Sequence, residues 1–161
     1  MYTWISMRNK PYLSSSDIIN TKFGVEVQIK EPVNIYGADI GNHVKIGPFV
    51  EIQKNVKIGS KTKIQSHTFI CELVTIGESC FIGHGVMFIN DLFKDGTVAG
   101  GDKNKWIPTL INDNVQIGSN STILPVEIIS NVVIGAGSVV TKTITKPGVY
   151  AGNPAKFIRG L

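Results

Sequence analysis

The feature that most constrains this chain is a large apolar residue at every sixth position. Ile40, Ile46, Ile52, Ile58, Ile64, Ile70, Ile76, Ile82 and Phe88 follow one another at that interval without a gap. An interval of six is neither the helical period of about 3.6 nor the plain alternation of a long strand. Two residues before each stands a smaller residue: Val44, Val50, Val56, Thr62, Thr68, Val74, Cys80 and Val86. Glycine often follows the large one, at Gly41, Gly47, Gly59, Gly77 and Gly83. After an interruption the pattern resumes at Ile111, Ile117, Ile123, Ile128, Ile134 and Val140, with Gly118 and Gly135. Self-similarity at a fixed period is the mark of a repeat architecture.

The physical reading of one hexad is a short strand and a turn. Glycine suits a repeated turn, because it accepts backbone conformations that a Cβ disfavours. Three hexads then make an 18-residue triangular coil, and coils stack at the sheet spacing of about 4.8 Å. Composition agrees. Ile and Val total 39 residues, Leu and Ala only 11, so stiff β-branched side chains outnumber good helix formers. An all-β fold follows. Ile46, Ile64 and Ile82 should stack along one edge, and Ile52, Ile70 and Phe88 along a second. The steps Ile35 to Ile40 and Ile123 to Ile128 are five residues, which calls for a tightened corner at each. Residues 89–108 carry no register and read as a long loop, of the kind that is functional or disordered.

The remaining composition excludes more than it assigns. The length of 161 residues fits a single domain, 1–161. No apolar run approaches the ~18 residues of a membrane span. Met1 to Lys10 lacks a signal-type apolar core. Cys71 and Cys80 form neither a disulfide framework nor a zinc knuckle. These points lead to the expectation of a reduced, cytoplasmic protein without a membrane partner. The net charge of +4 calls for no nucleic acid, since no nucleic-acid-binding motif accompanies it.

The hexads, with the ending Val132-Val133-Ile134-Gly135-Ala136-Gly137-Ser138-Val139-Val140-Thr141 and then Tyr150-Ala151-Gly152-Asn153-Pro154-Ala155-Lys156, resemble the hexapeptide-repeat acyltransferases from about Val25 onward. That resemblance implies a left-handed parallel β-helix. The segments Ile64 to Cys71 and Phe81 to Asp91 are similar to nucleotide-sugar N-acetyltransferases, nearest the subgroup acting on dTDP-linked 3-amino-3,6-dideoxyhexoses. What this implies is an acetyl-CoA co-substrate, a nucleotide amino sugar as acceptor in surface-glycan biosynthesis, a homotrimer, and sites between subunits. O-acetylation of a small hydroxyl acceptor is the alternative. A zinc hydratase of the γ-carbonic anhydrase type is a further one, disfavoured because His43, His67 and His84 lie 24 and 17 residues apart. No metal is expected.

Several residues are candidates for the site. An amine acceptor must lose a proton before it attacks a thioester, and imidazole suits that task. His84 is the expected base; the alternative is that it only binds or orients the amine. His67, 17 residues earlier, should stand nearly stacked with it, binding acceptor or orienting His84. Gly85 is the candidate N–H donor to an oxyanion. Asn90 and Asp91 resemble the family's sugar contact, although such a pair also initiates turns. Glu51 beside Ile52 is either a sugar contact or a solvated edge residue. His43 reads as a structural or surface residue, and Trp106 as a pin for the loop. Gly135 and Ala136 allow close approach of the pantetheine arm, and Lys142, Lys146, Lys156 and Arg159 gather at the C-terminal end, where they either bind coenzyme A phosphates or are ordinary surface charge. Pro154 to Ile158 should begin a short C-terminal helix.

Overall fold

A computed structural model describes residues 17–161; the reading of Met1 to Lys10 lies outside them. Each hexad supplies a strand of two or three residues, and each strand pairs in parallel with its equivalents one coil away. Three faces result. Face A runs from Ile18–Ile19 to Val139–Val140 in seven strands, and face B from Lys22–Phe23 to Glu127–Ile128 in six. Face C runs from Gln28–Ile29 to Lys156–Arg159 in eight. The fold is the expected parallel β-helix.

The expected stacks are present. Ile46 pairs with Ile64, Ile64 with Ile82, and Ile82 with Ile117 on face C. Ile52 pairs with Ile70 on face A, where Phe69 aligns with Met87 and so brings Phe88 above Ile70. These side chains are at most 2% exposed. Most threonine and serine hydroxyls in the interior are bonded: Thr68 donates to the Gly83 carbonyl at 3.0 Å, and Ser138 to that of Gly135 at 2.6 Å, whereas buried Thr109 Oγ1 has no partner among the described residues. Burial without such a partner would cost about 1–3 kcal/mol. The five-residue steps do shorten the coil. Register advances by 17 at Ile35↔Ile52 and Ile123↔Val140, against 18 at Ile40↔Ile58.

Two expectations need correction. The glycines after each large residue do not carry the unusual backbone. Positive φ falls two positions later, at His43 (56°), Phe49 (59°), Lys61 (62°), Ser79 (55°) and Gly85 (65°). The glycines instead allow close stacking: a Cβ on Gly41 or Gly47 would stand 2.8 Å from the backbone nitrogen of Ser60 or Ser66 in the next coil. The second concerns the C-terminus. No short helix forms there. Lys156–Arg159 is a strand antiparallel to Gly148–Ala151, covering the otherwise open end of face C. Phe157 meets Tyr150 edge-on at 5.4 Å and lies under the Lys146 ammonium at 4.7 Å, contacts worth more here than one isolated helical turn.

Candidate active site

His84 is exposed on the corner joining face C to face A. The parallel ladder fixes its place: its carbonyl accepts from Asn120 N–H at 2.8 Å, and its own N–H donates to Ser119 Oγ at 3.2 Å. Its Nδ1 lies 2.8 Å from Ser66 Oγ, one coil below. That contact leaves Nε2 as the ring nitrogen without a partner among the described residues. Ser66 was not expected, yet it sits 18 residues before His84, the coil length itself, so the repeat arithmetic contains it.

His67 is not stacked on His84. It occupies the next corner position, with φ of 63°, and its ring stacks on Phe49 at 4.9 Å and 13°. Phe49 walls a hollow with Asn34 and Glu51 on face A. His84 instead lines a pocket of about 320 Å³ on face C, with Lys30, Lys45, Gly47, Gln65 and Ser66. The two rings therefore flank one corner from opposite sides. His43 belongs to the corner between faces B and C, where its Nδ1 lies 3.0 Å from Glu26. Among the described residues, no group of three His, Cys, Asp or Glu side chains is placed to share a metal ion. Gly85 is corrected as an oxyanion donor, because its N–H is already given to the Ser66 carbonyl at 3.0 Å.

Toward the C-terminal end, pairing of Ile82, Ile117 and Ile134 puts Gly83, Gly118 and Gly135 in one column. His84, Ser119 and Ala136 form the column beside it. Successive coils stand about 4.8 Å apart, so Ala136 lies about 10 Å up the corner from His84. The result is a track along the corner with almost no side chain beyond Cβ. Lys156 and Arg159 are exposed on the last strand of face C, Lys142 is exposed after face A ends, and Lys146 is held over Phe157.

The remaining candidates lie at a different corner, between faces A and B. Asn90 Nδ2 donates to the Glu72 carbonyl at 3.2 Å. Asp91 folds the loop back on itself, accepting from Ala99 N–H at 2.7 Å and Phe93 N–H at 2.9 Å. Those two bonds hold its carboxyl below the usual range. Glu51, on face A, accepts from Gln53 Nε2 at 3.1 Å. Burial, with Glu51 and Glu72 nearby, pushes the Tyr36 hydroxyl up. Glu72 was missed by sequence reasoning; it is 7% exposed and paired with Lys54 and Lys103. Trp106 is half-buried at the end of the 3-10 turn Lys103–Lys105.

The model for bacterial transferase hexapeptides (six repeats) matches residues 37–72, and that for the hexapeptide repeat of succinyl-transferase matches residues 108–142. Over those two segments the chain carries the hexapeptide repeat of these transferases. The bifunctional protein GlmU of Carboxydothermus hydrogenoformans is 37% identical over 138 residues, covering 84% of this chain and 28% of that protein. The chain thus spans little more than a quarter of the length of the curated relatives it matches. A variant of AntD, an N-acyltransferase from Bacillus cereus solved with dTDP and coenzyme A, superimposes with a TM-score of 0.77 and 25% identity, covering 88% of this chain and 84% of that one. A maltose O-acetyltransferase from Clostridium difficile shares the fold, with a TM-score of 0.63, 23% identity, and coverage of 89% and 71%.

Proposed function

We propose that this acyltransferase moves the acetyl group of acetyl-CoA to the amine of a nucleotide-linked amino sugar, in the biosynthesis of surface glycans. One observation carries the reading: His84 stands between a track of small residues and a cationic pocket. The Gly118–Gly135 and Ser119–Ala136 columns would take the pantetheine arm from the C-terminal side, with Lys142, Lys156 and Arg159 available to its phosphates. The pocket lined by Lys30, Lys45 and Ser66 would take an anionic acceptor from the N-terminal side. The solved relative that carries both dTDP and coenzyme A supports this pairing of ligands.

The chemistry is that of thioester aminolysis. Nε2 of His84 accepts the amine proton as the nitrogen attacks the acetyl carbonyl. The C–N bond forms, the C–S bond breaks, and the proton passes on to the departing thiolate, giving the amide and free coenzyme A. His67, Asn90, Asp91 and Glu51 stand on the far side of the corner or at the next one. From there they would meet an acceptor held at another subunit's His84, which agrees with the homotrimer with sites between chains that the family resemblance implies and that we propose. Both co-substrates are cytoplasmic metabolites, and we place the reaction there.

The test is release of coenzyme A from acetyl-CoA with a panel of dTDP- and UDP-linked amino sugars, their hydroxy analogues, serine and maltose. Turnover confined to an amino sugar is the expected result. Turnover confined to a hydroxyl acceptor would replace the reading with O-acetylation.

A further inference from the structure

The long loop is tied to itself by internal bonds, and among the described residues it has one charged seat on the body. Its neck is closed where Ile107 N–H donates to the Asn90 carbonyl at 2.9 Å. Within it, Asp91 ties Phe93 and Ala99, and Lys105 meets Asp95 at 2.8 Å. The seat is Glu72, whose side chain is 9% exposed. One carboxylate oxygen faces Lys54 at 3.4 Å, from the coil below; the other faces Lys103 at 3.2 Å, from the arm. A carboxylate so withdrawn from water is held there by partners, and one of the two comes from the loop.

We propose that Lys103 is a positioning residue for the acceptor side of the reaction: seated on Glu72, it fixes the angle at which the arm leaves the body. The role rests on the function proposed above, in which the arm of one subunit completes a neighbour's site. Lys54 makes the arrangement separable from folding. Loss of Lys103 leaves Glu72 still paired, so the coil stays intact while the arm loses its anchor. An arm displaced by about 1 Å disturbs acceptor placement, whereas the pantetheine track on another corner is untouched.

Lys103→Met, Lys103→Arg and wild type are compared in two ways on the full chain. Hydrogen exchange is read at the Phe93, Ala99 and Ile107 amides, and steady-state kinetics are measured with one competent amino sugar. In Lys103→Met the arm amides should exchange about tenfold faster, as befits a charge-assisted bond weakened by the half-exposed lysine. The acceptor KM should rise about three- to tenfold, with kcat within about threefold and the acetyl-CoA KM unchanged. Lys103→Arg should restore both readouts. Unchanged exchange would overturn the anchor. Faster exchange with an unchanged acceptor KM, or an equal rise in the acetyl-CoA KM, would overturn the positioning role. A wild type that turns over no amino sugar, yet shows the exchange effect, would sink the proposed function and the acceptor role with it, leaving the anchor alone.

Discussion

A histidine serves as a base only if its free nitrogen faces the proton, and for His84 the neighbour that decides this is Ser66. The contact at 2.8 Å engages Nδ1 and directs Nε2 outward. His84→Asn should lower kcat by roughly 10²–10⁴-fold with a smaller effect on KM, the span of a lost general base. His67→Asn should do less, since its ring is committed to Phe49. A kcat within about threefold of wild type for His84→Asn would end the base assignment. The cysteines are a contrast. Burial pushes the Cys71 thiol up to about 12 and also raises Cys80. Since the thiolate is the reactive form, a thiol reagent at pH 8 should label neither in the native state and both after unfolding. Prompt native labelling would contradict their packing.

At the scale of the corner, the glycine column sets how closely coils stack. Gly83 has ordinary backbone angles, but a Cβ there would lie 2.6 Å from Ser119 nitrogen, and backbone cannot step aside as a flexible side chain can. Gly83→Ala should cost about 1–3 kcal/mol, the price of overpacking, read as a lower denaturation midpoint at unchanged m. The arm obeys a different control. Because Asp91 is more acidic folded than unfolded, its contribution is complete above the ordinary aspartate range, near pH 4. It is lost as pH falls through the lower folded value. Arm amides should therefore lose protection only in that acidic window, and Asp91→Asn should show weak protection at every pH. Equal protection in the variant at neutral pH would dismiss Asp91 as the arm's tie.

Across the whole molecule, the site is divided. His84 and the glycine track share one corner, while Asn90, Asp91 and the arm leave from another. Exposed apolar side chains remain on the flank between them, with Phe49 58% and Met87 41% exposed. In the trimer we propose, a closed ring of three chains would join the two halves and cover that flank. Light scattering at working concentration should give three times the chain mass of 17.5 kDa. A monomer would leave both halves of the site without their complement.

The period of six determined the coil, the stacked core from Ile40 to Phe88 and from Ile111 to Val140, and the places where register shortens, because burial in a three-sided prism follows spacing. Coil arithmetic also contained Ser66 beneath His84 and Glu72 between Lys54 and Asn90, since residues 18 apart must stack. What spacing leaves open is direction. His67 and His84 stand one step apart along the corner, yet their side chains diverge to opposite faces, a choice made by the left-handed backbone at His67 and by Phe49 beneath it. Lys103 lies in a segment without period, so only the folded arm decided that it reaches Glu72. The C-terminal strand was settled in the same way: Lys156 to Arg159 gains more from closing the open end of face C than four residues gain from a turn of helix.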